Sequence, residues 1–264
     1  MLILIWPDLA LSLAKICAKL FFLFTDDVWP MISAQVDWIV DPLPPPASSS
    51  LLSAVSLRNI VNNTSDESLE LYHHKKVTYL GYRREHCIYK VDKNGVSSEL
   101  VTLPDGEQFL RMTIFNDKLY VLTCDDWVLV YSLRGEQITS WQIKSGSSCS
   151  GIVTAGDKLV VDCTPKLLVF DEEGNKLSTL SDVITCNTSD RILSLDSKSI
   201  IVVNSDCDYV KRIDIRTGEE LWSNKSDISR YTSDIPVSAV YDGHSNILVL
   251  DESVDIHVLD VSTG

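Results

Sequence analysis

Seven carboxylates and one indole have the types and spacing to act together: Asp125, Asp126, Asp206, Asp208, Asp251, Glu252 and Asp255, with Trp127 beside the first pair. The acids fall in three groups, each a short polar stretch between apolar runs. If the three stretches met on one surface, they would focus a negative potential and speed the encounter with a cationic partner. Calcium also seeks several oxygens, but no single stretch has calcium-loop spacing, and no metal is assigned. Acidic residues are also good turn residues in their own right. Trp127 would add an aromatic anchor to such a surface, or pack in the interior as a strand residue. No catalytic set competes. There is no G-x-S-x-G elbow, no Gly-rich phosphate loop and no H-E-x-x-H. His73, His74, His86, His244 and His257 form no cluster with carboxylates at ligand spacing. His73-His74 ahead of Lys75-Lys76 reads as a solvated turn, and His257 between Ile256 and Val258 as a surface-facing strand residue. No catalytic residue and no cofactor are therefore expected.

Three separate acidic stretches reach one surface only if the chain repeats itself, and it does. Five units recur in order: KKVTYLGYRREHCIYKVDKNG, DKLYVLTCDDWVLVYSLRG, DKLVVDCTPKLLVFDEEG, KSIIVVNSDCDYVKRIDIRTG and SNILVLDESVDIHVLDVSTG. Each reads as strand, polar turn, strand and glycine turn, and the closing Gly95, Gly135, Gly174, Gly218 and Gly264 stand about forty residues apart. That period, with this strand content, is the mark of propeller blades. Stretches such as FLRMTIF, SGIVTA, RILSLD and VSAVYD supply an inner strand ahead of each pair, and EQITSWQI, NKLSTL and EELWSN an outer strand after it. Sandwiches and barrels also use regular short strands, but they lack a long period with a fixed internal order. The expected fold is all-β, a β-propeller of four-stranded antiparallel blades. About five blades are present with the last incomplete, as in a piece of a longer ring or one latched by another strand.

Residues 235–242, IPVSAVYD, followed by NILVLD and IHVLD, resemble the NHL repeat, and VFDEEG at 169–174 matches the end of that repeat. IDIRTGEELW at 213–222 is similar to the quinoprotein-type repeat. The resemblance covers roughly residues 75–264. It implies a C-terminal propeller of the kind carried by TRIM-type ubiquitin ligases, which would recognise substrates. No RING or B-box cysteine and histidine pattern accompanies it. It also raises the alternatives of a quinoprotein-like or lyase-type enzyme, which would need a group at the ring centre, and of a secreted adhesion propeller.

The remainder of the chain sets the context. With 23 Lys and Arg against 37 Asp and Glu, the formal net charge is −14, which disfavours nucleic acid and favours a basic protein or peptide partner. Residues 1–41 form an apolar segment in which Asp8 can cap a helix and Lys15 and Lys19 share one face. The segment is a poor signal peptide and too interrupted for a span, but membrane contact through such a helix is an option. Residues 42–65 are a Pro/Ser-rich linker, and 66–264 the propeller. Seven scattered cysteines with no CxxC pair read mostly as buried thiols in a reducing, cytoplasmic setting. N-x-Ser/Thr triplets at Asn62, Asn63, Asn187 and Asn224 point to the secreted alternative.

Overall fold

The structure is a computed structural model that describes residues 69–75, 77–82, 86–92, 96–181, 183–184, 191–204, 207–224, 236–241, 244–251 and 256–264. The expected N-terminal helix and Pro/Ser linker lie outside these residues. The described chain builds five antiparallel sheets in sequence. The first holds β1 (Leu69–His74), β2 (Val77–Tyr82), β3 (Cys87–Val91) and β4 (Ser97–Thr102), and the second β5 (Phe109–Phe115), β6 (Lys118–Thr123), β7 (Trp127–Ser132) and β8 (Gln137–Gln142). The third holds β9 (Gly151–Ala155), β10 (Lys158–Cys163), β11 (Lys166–Phe170) and β12 (Lys176–Leu180). The fourth holds β13 (Arg191–Ser194), β14 (Ser199–Asn204), β15 (Tyr209–Asp214) and β16 (Glu220–Asn224), and the fifth β17 (Pro236–Tyr241), β18 (Asn246–Asp251) and β19 (Ile256–Asp260). Each sheet keeps its strands in chain order, and the first strands of successive sheets pack against one another. This is the β-propeller that the repeat predicts, with a three-stranded fifth blade.

The core is a series of slabs between blades. Side chains on a strand alternate between its two faces, so each middle strand serves two slabs at once. Leu119 and Val121 of β6 join Tyr79, Ile88 and Val101 of the first blade, while Tyr120 and Leu122 join Leu159, Val161 and Leu168 of the third. The same division recurs between the third and fourth blades and between the fourth and fifth. A strand buried on both faces has to read as a near-continuous apolar run, as in KLYVLT and SIIVVN. The outer strands β8 and β16 are mostly exposed, with Trp141, Trp222 and Asn224 half-buried.

Closing glycines have a packing role at Gly135, Gly174 and Gly264. Gly174 sits at φ +85°, and a Cβ there would come within 2.5 Å of the Trp141 ring on β8 of the preceding blade. Gly135 meets the Leu100 carbonyl oxygen on β4 in the same way, at 2.1 Å. An acidic residue ahead of the turn accepts the backbone N–H groups that the turn leaves over. Asp171 Oδ1 takes Asn175 N at 2.7 Å, and Asp260 Oδ1 takes Ser262 N at 2.8 Å. The Asp and Gly of VFDEEG and VLDVSTG are thus positions of turn chemistry and close packing.

Two sequence expectations need correction. His73 and His74 do not form a solvated turn: both lie in β1, opposite Thr78 and Val77, and the turn begins at Lys75. His74 Nε2 and Lys75 Nζ contact Asp117 Oδ1 of the second blade at 3.2 and 2.6 Å, so this corner ties two blades together. The cysteines among the described residues are not mostly thiols either. Cys149, just ahead of β9, is joined to Cys163 at the end of β10, and Cys207 is disulfide-bonded as well. Cys87 and Cys124 carry thiols.

Candidate functional site

The acidic turns follow the second strand of their blades, and since every blade repeats one strand order they stand at the same end of the ring. In the β6–β7 turn, Asp125 is exposed. Asp126 has φ +60°, which an Asp tolerates better than most residues, and its Oδ1 accepts the backbone N–H of Cys149 at 2.8 Å. Its carbonyl oxygen accepts Ile143 N at 2.8 Å, so Asp126 staples this turn to the segment leading into the third blade. Trp127 is half-buried and packs against the slab between the first two blades rather than standing free on the surface. In the β14–β15 turn, Asn204 Oδ1 accepts Cys207 N at 2.8 Å, and the half-buried Asp208 has φ +50°. Asp251 is the last residue of β18, with its backbone opposite Pro236. Asp206, Glu252 and Asp255 lie outside the described residues.

Acids also crowd the other end of the ring, where several are paired, while Asp171, Glu173 and Asp260 make no ion pair among the described residues. Asp117 meets Lys75, Glu172 meets Lys118 at 2.6 Å, Asp196 meets Arg212 at 2.9 Å and Asp214 meets Arg216 at 2.5 Å. The Lys75 ammonium holds the Asp117 carboxyl below the usual range, Lys118 does the same for Glu172, and Arg216 lowers Asp214 to about 2. Asp125 and Asp208 also make no ion pair among the described residues. No group of three or more His, Cys, Asp or Glu among those residues could hold a metal ion.

Two further features are not among the residues the sequence reading singled out. A cavity of about 160 Å³ lies where the inner strands of all five blades converge, lined by Tyr72, Arg111, Gly151, Arg191 and Ala239 among others. Both arginines are half-buried, and Arg111 Nη1 donates to the Leu110 carbonyl at 3.1 Å. Close by, Asp162 is 0% exposed in β10. Burial pushes its carboxyl up to about 6, against hydrogen bonds at 2.8 Å from Ser150 Oγ and Thr164 Oγ1 that favour the charged form. A charged residue inside an apolar inner strand, as in FLRMTIF, or an acid ending an apolar run, as in LVVD, is the only sequence sign either feature leaves.

No protein-family model and no curated protein matches the sequence. Among solved structures, the chain is similar to streptogramin B lyase at 10% identity and TM-score 0.51, over 74% of this chain and 73% of that one. It is similar to BamB from Moraxella catarrhalis at 14% identity and TM-score 0.52, over 75% of this chain and 59% of that one. It also resembles BBS1N, in its complex with ARL6DN, at 12% identity and TM-score 0.55, over 73% of this chain and 64% of that one. The chain thus spans less than two thirds of the latter two. At these identities the shared property is the fold, and that fold is the β-propeller.

Proposed function

We propose that the chain is a non-enzymatic binding platform whose acidic face, at the end bearing Asp125 and Asp208, holds a basic peptide or protein segment. The observation that carries this reading is the recurrence of acidic turns at one end of successive blades. Asp125 and Asp208 stand at the end where the acidic turns gather and make no ion pair among the described residues, on a chain of net charge −14. Unpaired charge on a rigid rim attracts a counter-charged partner at long range. Asp206, Asp251, Glu252 and Asp255 belong to the same turns in sequence, and Asp126 and Trp127 support the rim from below. Propellers seen in protein complexes, such as BBS1N with ARL6DN, support a protein partner. The resemblance of the repeats to the NHL type supports a recognition role, of the kind a ubiquitin ligase uses to select substrates.

Replacing Asp125, Asp206, Asp208, Asp251, Glu252 and Asp255 by Asn or Gln tests the reading. Asp126 is left intact because it holds Cys149. Exposed turn changes cost about 0.5 kcal/mol or less, so the thermal midpoint should hardly move. The Kd for a fluorescent nona-arginine peptide should rise about tenfold or more at low salt, with a flatter salt dependence. Equal binding by the two proteins would refute the acidic-rim function and leave the fold untouched.

A second reading, a secreted adhesion propeller, draws on the Cys149–Cys163 disulfide and the bonded Cys207, since such links persist in oxidising compartments. Non-reducing peptide mapping of protein from its native source, with glycan analysis at Asn187 and Asn224, separates it from the cytoplasmic reading: a linked, glycosylated product supports secretion, and reduced, bare peptides oppose it.

A further inference from the structure

Residues 143–149, IKSGSSC, carry the chain from the outer strand of the second blade to the inner strand of the third, and both ends of this crossover rest on one residue. Asp126 accepts Ile143 N through its carbonyl oxygen and Cys149 N through Oδ1, each at 2.8 Å. Between these two feet Lys144, Gly146 and Ser148 are exposed, and a Cβ at Gly146 would meet nothing within 4 Å, so little packing holds the middle of the loop. The disulfide fastens the far foot to Cys163 at the end of β10. One residue further on, Ser150 N donates to the Asp162 carbonyl and Ser150 Oγ to Asp162 Oδ2, both at 2.8 Å. The two bonded sulfurs differ in setting. Cys163 is 0% exposed and belongs to a strand that is paired on both sides, whereas Cys149 stands ahead of β9 and is 5% exposed.

We propose that the Cys149–Cys163 disulfide is a redox latch on this crossover, and that its two-electron reduction by a dithiol releases residues 143–149 from Asp126 while the blades stay folded. One thiolate of the dithiol attacks Cys149 Sγ, the sulfur nearer the surface, and the Cys163 sulfur leaves. The second thiolate displaces Cys149 from the mixed disulfide. The dithiol ends as a cyclic disulfide, and the two cysteines take up the two protons it gave to solvent. Two thiols cannot stand as close as two bonded sulfurs, and a close-packed interior has little slack to absorb the difference. Cys163 is held in its strand, so Cys149 is the one that moves, and its N–H leaves Asp126. Opening stops at Ser150, whose two hydrogen bonds to Asp162 keep β9 in register. The cross-link joins residues only 14 apart, so its loss frees this loop and opens the structure locally. The β6–β7 turn bearing Asp125 then loses its tie to the third blade at Cys149, and the stiffness of the acidic rim follows the redox state. The latch itself stands whether or not that rim binds a basic partner.

Limited trypsin digestion of the folded full chain, with and without dithiothreitol, tests the latch at the exposed Lys144. Cleavage after Lys144 should speed up by at least about tenfold on reduction. Cleavage after Arg134, exposed in the closing turn of the same blade, should keep its rate. Amide hydrogen exchange across residues 143–149 should rise together with the Lys144 cleavage. Dithiothreitol also reaches the bond at Cys207, and Cys149→Ser separates the two effects. That variant should be cut after Lys144 at the fast rate without reductant and gain nothing from its addition. The arm on the unaltered protein needs no variant to fold. The proposal is overturned if the folded protein keeps its Cys149–Cys163 bond in dithiothreitol, or if Lys144 cleavage and exchange stay the same once the bond is open. It is equally overturned if Arg134 cleavage accelerates to the same extent, which marks general unfolding, or if a folded Cys149→Ser variant is cut as slowly as the oxidised protein.

Discussion

Gly174→Ala is expected to lower the stability of the chain to urea by about 3 kcal/mol, whereas Gly106→Ala should cost only about 1 kcal/mol. Both glycines have a positive φ, +85° and +89°, so the alanine pays a similar backbone cost at each. They differ in surroundings. A Cβ at Gly106 meets nothing within 4 Å, while one at Gly174 falls 2.5 Å from the Trp141 ring. Trp141 is no loose neighbour: it packs with Tyr120 and Phe170 at ring separations of 6.2 and 6.5 Å. It can yield only by disturbing the slab between the second and third blades. Urea unfolding followed by tryptophan fluorescence reads the difference directly. Equal losses for the two variants would mean that the closing glycine is kept for its backbone alone and that its contact with the preceding blade contributes nothing.

Asp162→Asn is expected to remove a loss of stability that the unaltered protein suffers as pH rises from about 4 to about 6. The folded carboxyl is raised to about 6 from an ordinary value of 3.8, so the folded chain binds this proton more tightly than the unfolded chain. Stability must then fall as pH climbs through that window, and the whole loss is present above it. A shift of this size corresponds to roughly 3 kcal/mol. Asp117, Glu172 and Asp214 work the other way: their carboxyls are held low, so they stabilise the fold above the ordinary carboxylate range and cease to do so as pH falls through their folded values. The difference between the two proteins' stability curves isolates Asp162. An Asn side chain fits the site because it can accept one hydroxyl hydrogen bond and donate to the other hydroxyl. Parallel curves from pH 4 to 7 would show that Asp162 stays ionised despite its burial.

The blades were legible because each is a local event of about forty residues, with its own apolar runs and closing glycine. The first strand was not. LELYHH ends in two histidines followed by two lysines, and its place in a sheet comes from pairing with VTYLGY and from contact with Asp117 on the next blade. The acidic turns were visible for the same local reason as the blades. Arg111 and Arg191 were not, because residues so far apart in sequence line one cavity only after two blades have folded and packed. Asp162 looks like an ordinary strand-end acid, and only the packing around it removes it from water. The Cys149–Cys163 pair was equally hidden, since spacing alone does not fix which cysteines join.

The contacts of Gly135 with Leu100 and of Gly174 with Trp141 all point backward along the chain, from the turn of one blade to the outer strand of the blade before it. Gly264 on Trp222 repeats the pattern at the fifth blade. The ring therefore has a grain. A polypeptide leaving the ribosome from its N-terminus finds, each time a closing turn emerges, a seat already finished by the blade made before it. Assembly can proceed like courses of masonry, every course bedded on the last, and at each moment only the newest edge stands open to a wrong strand.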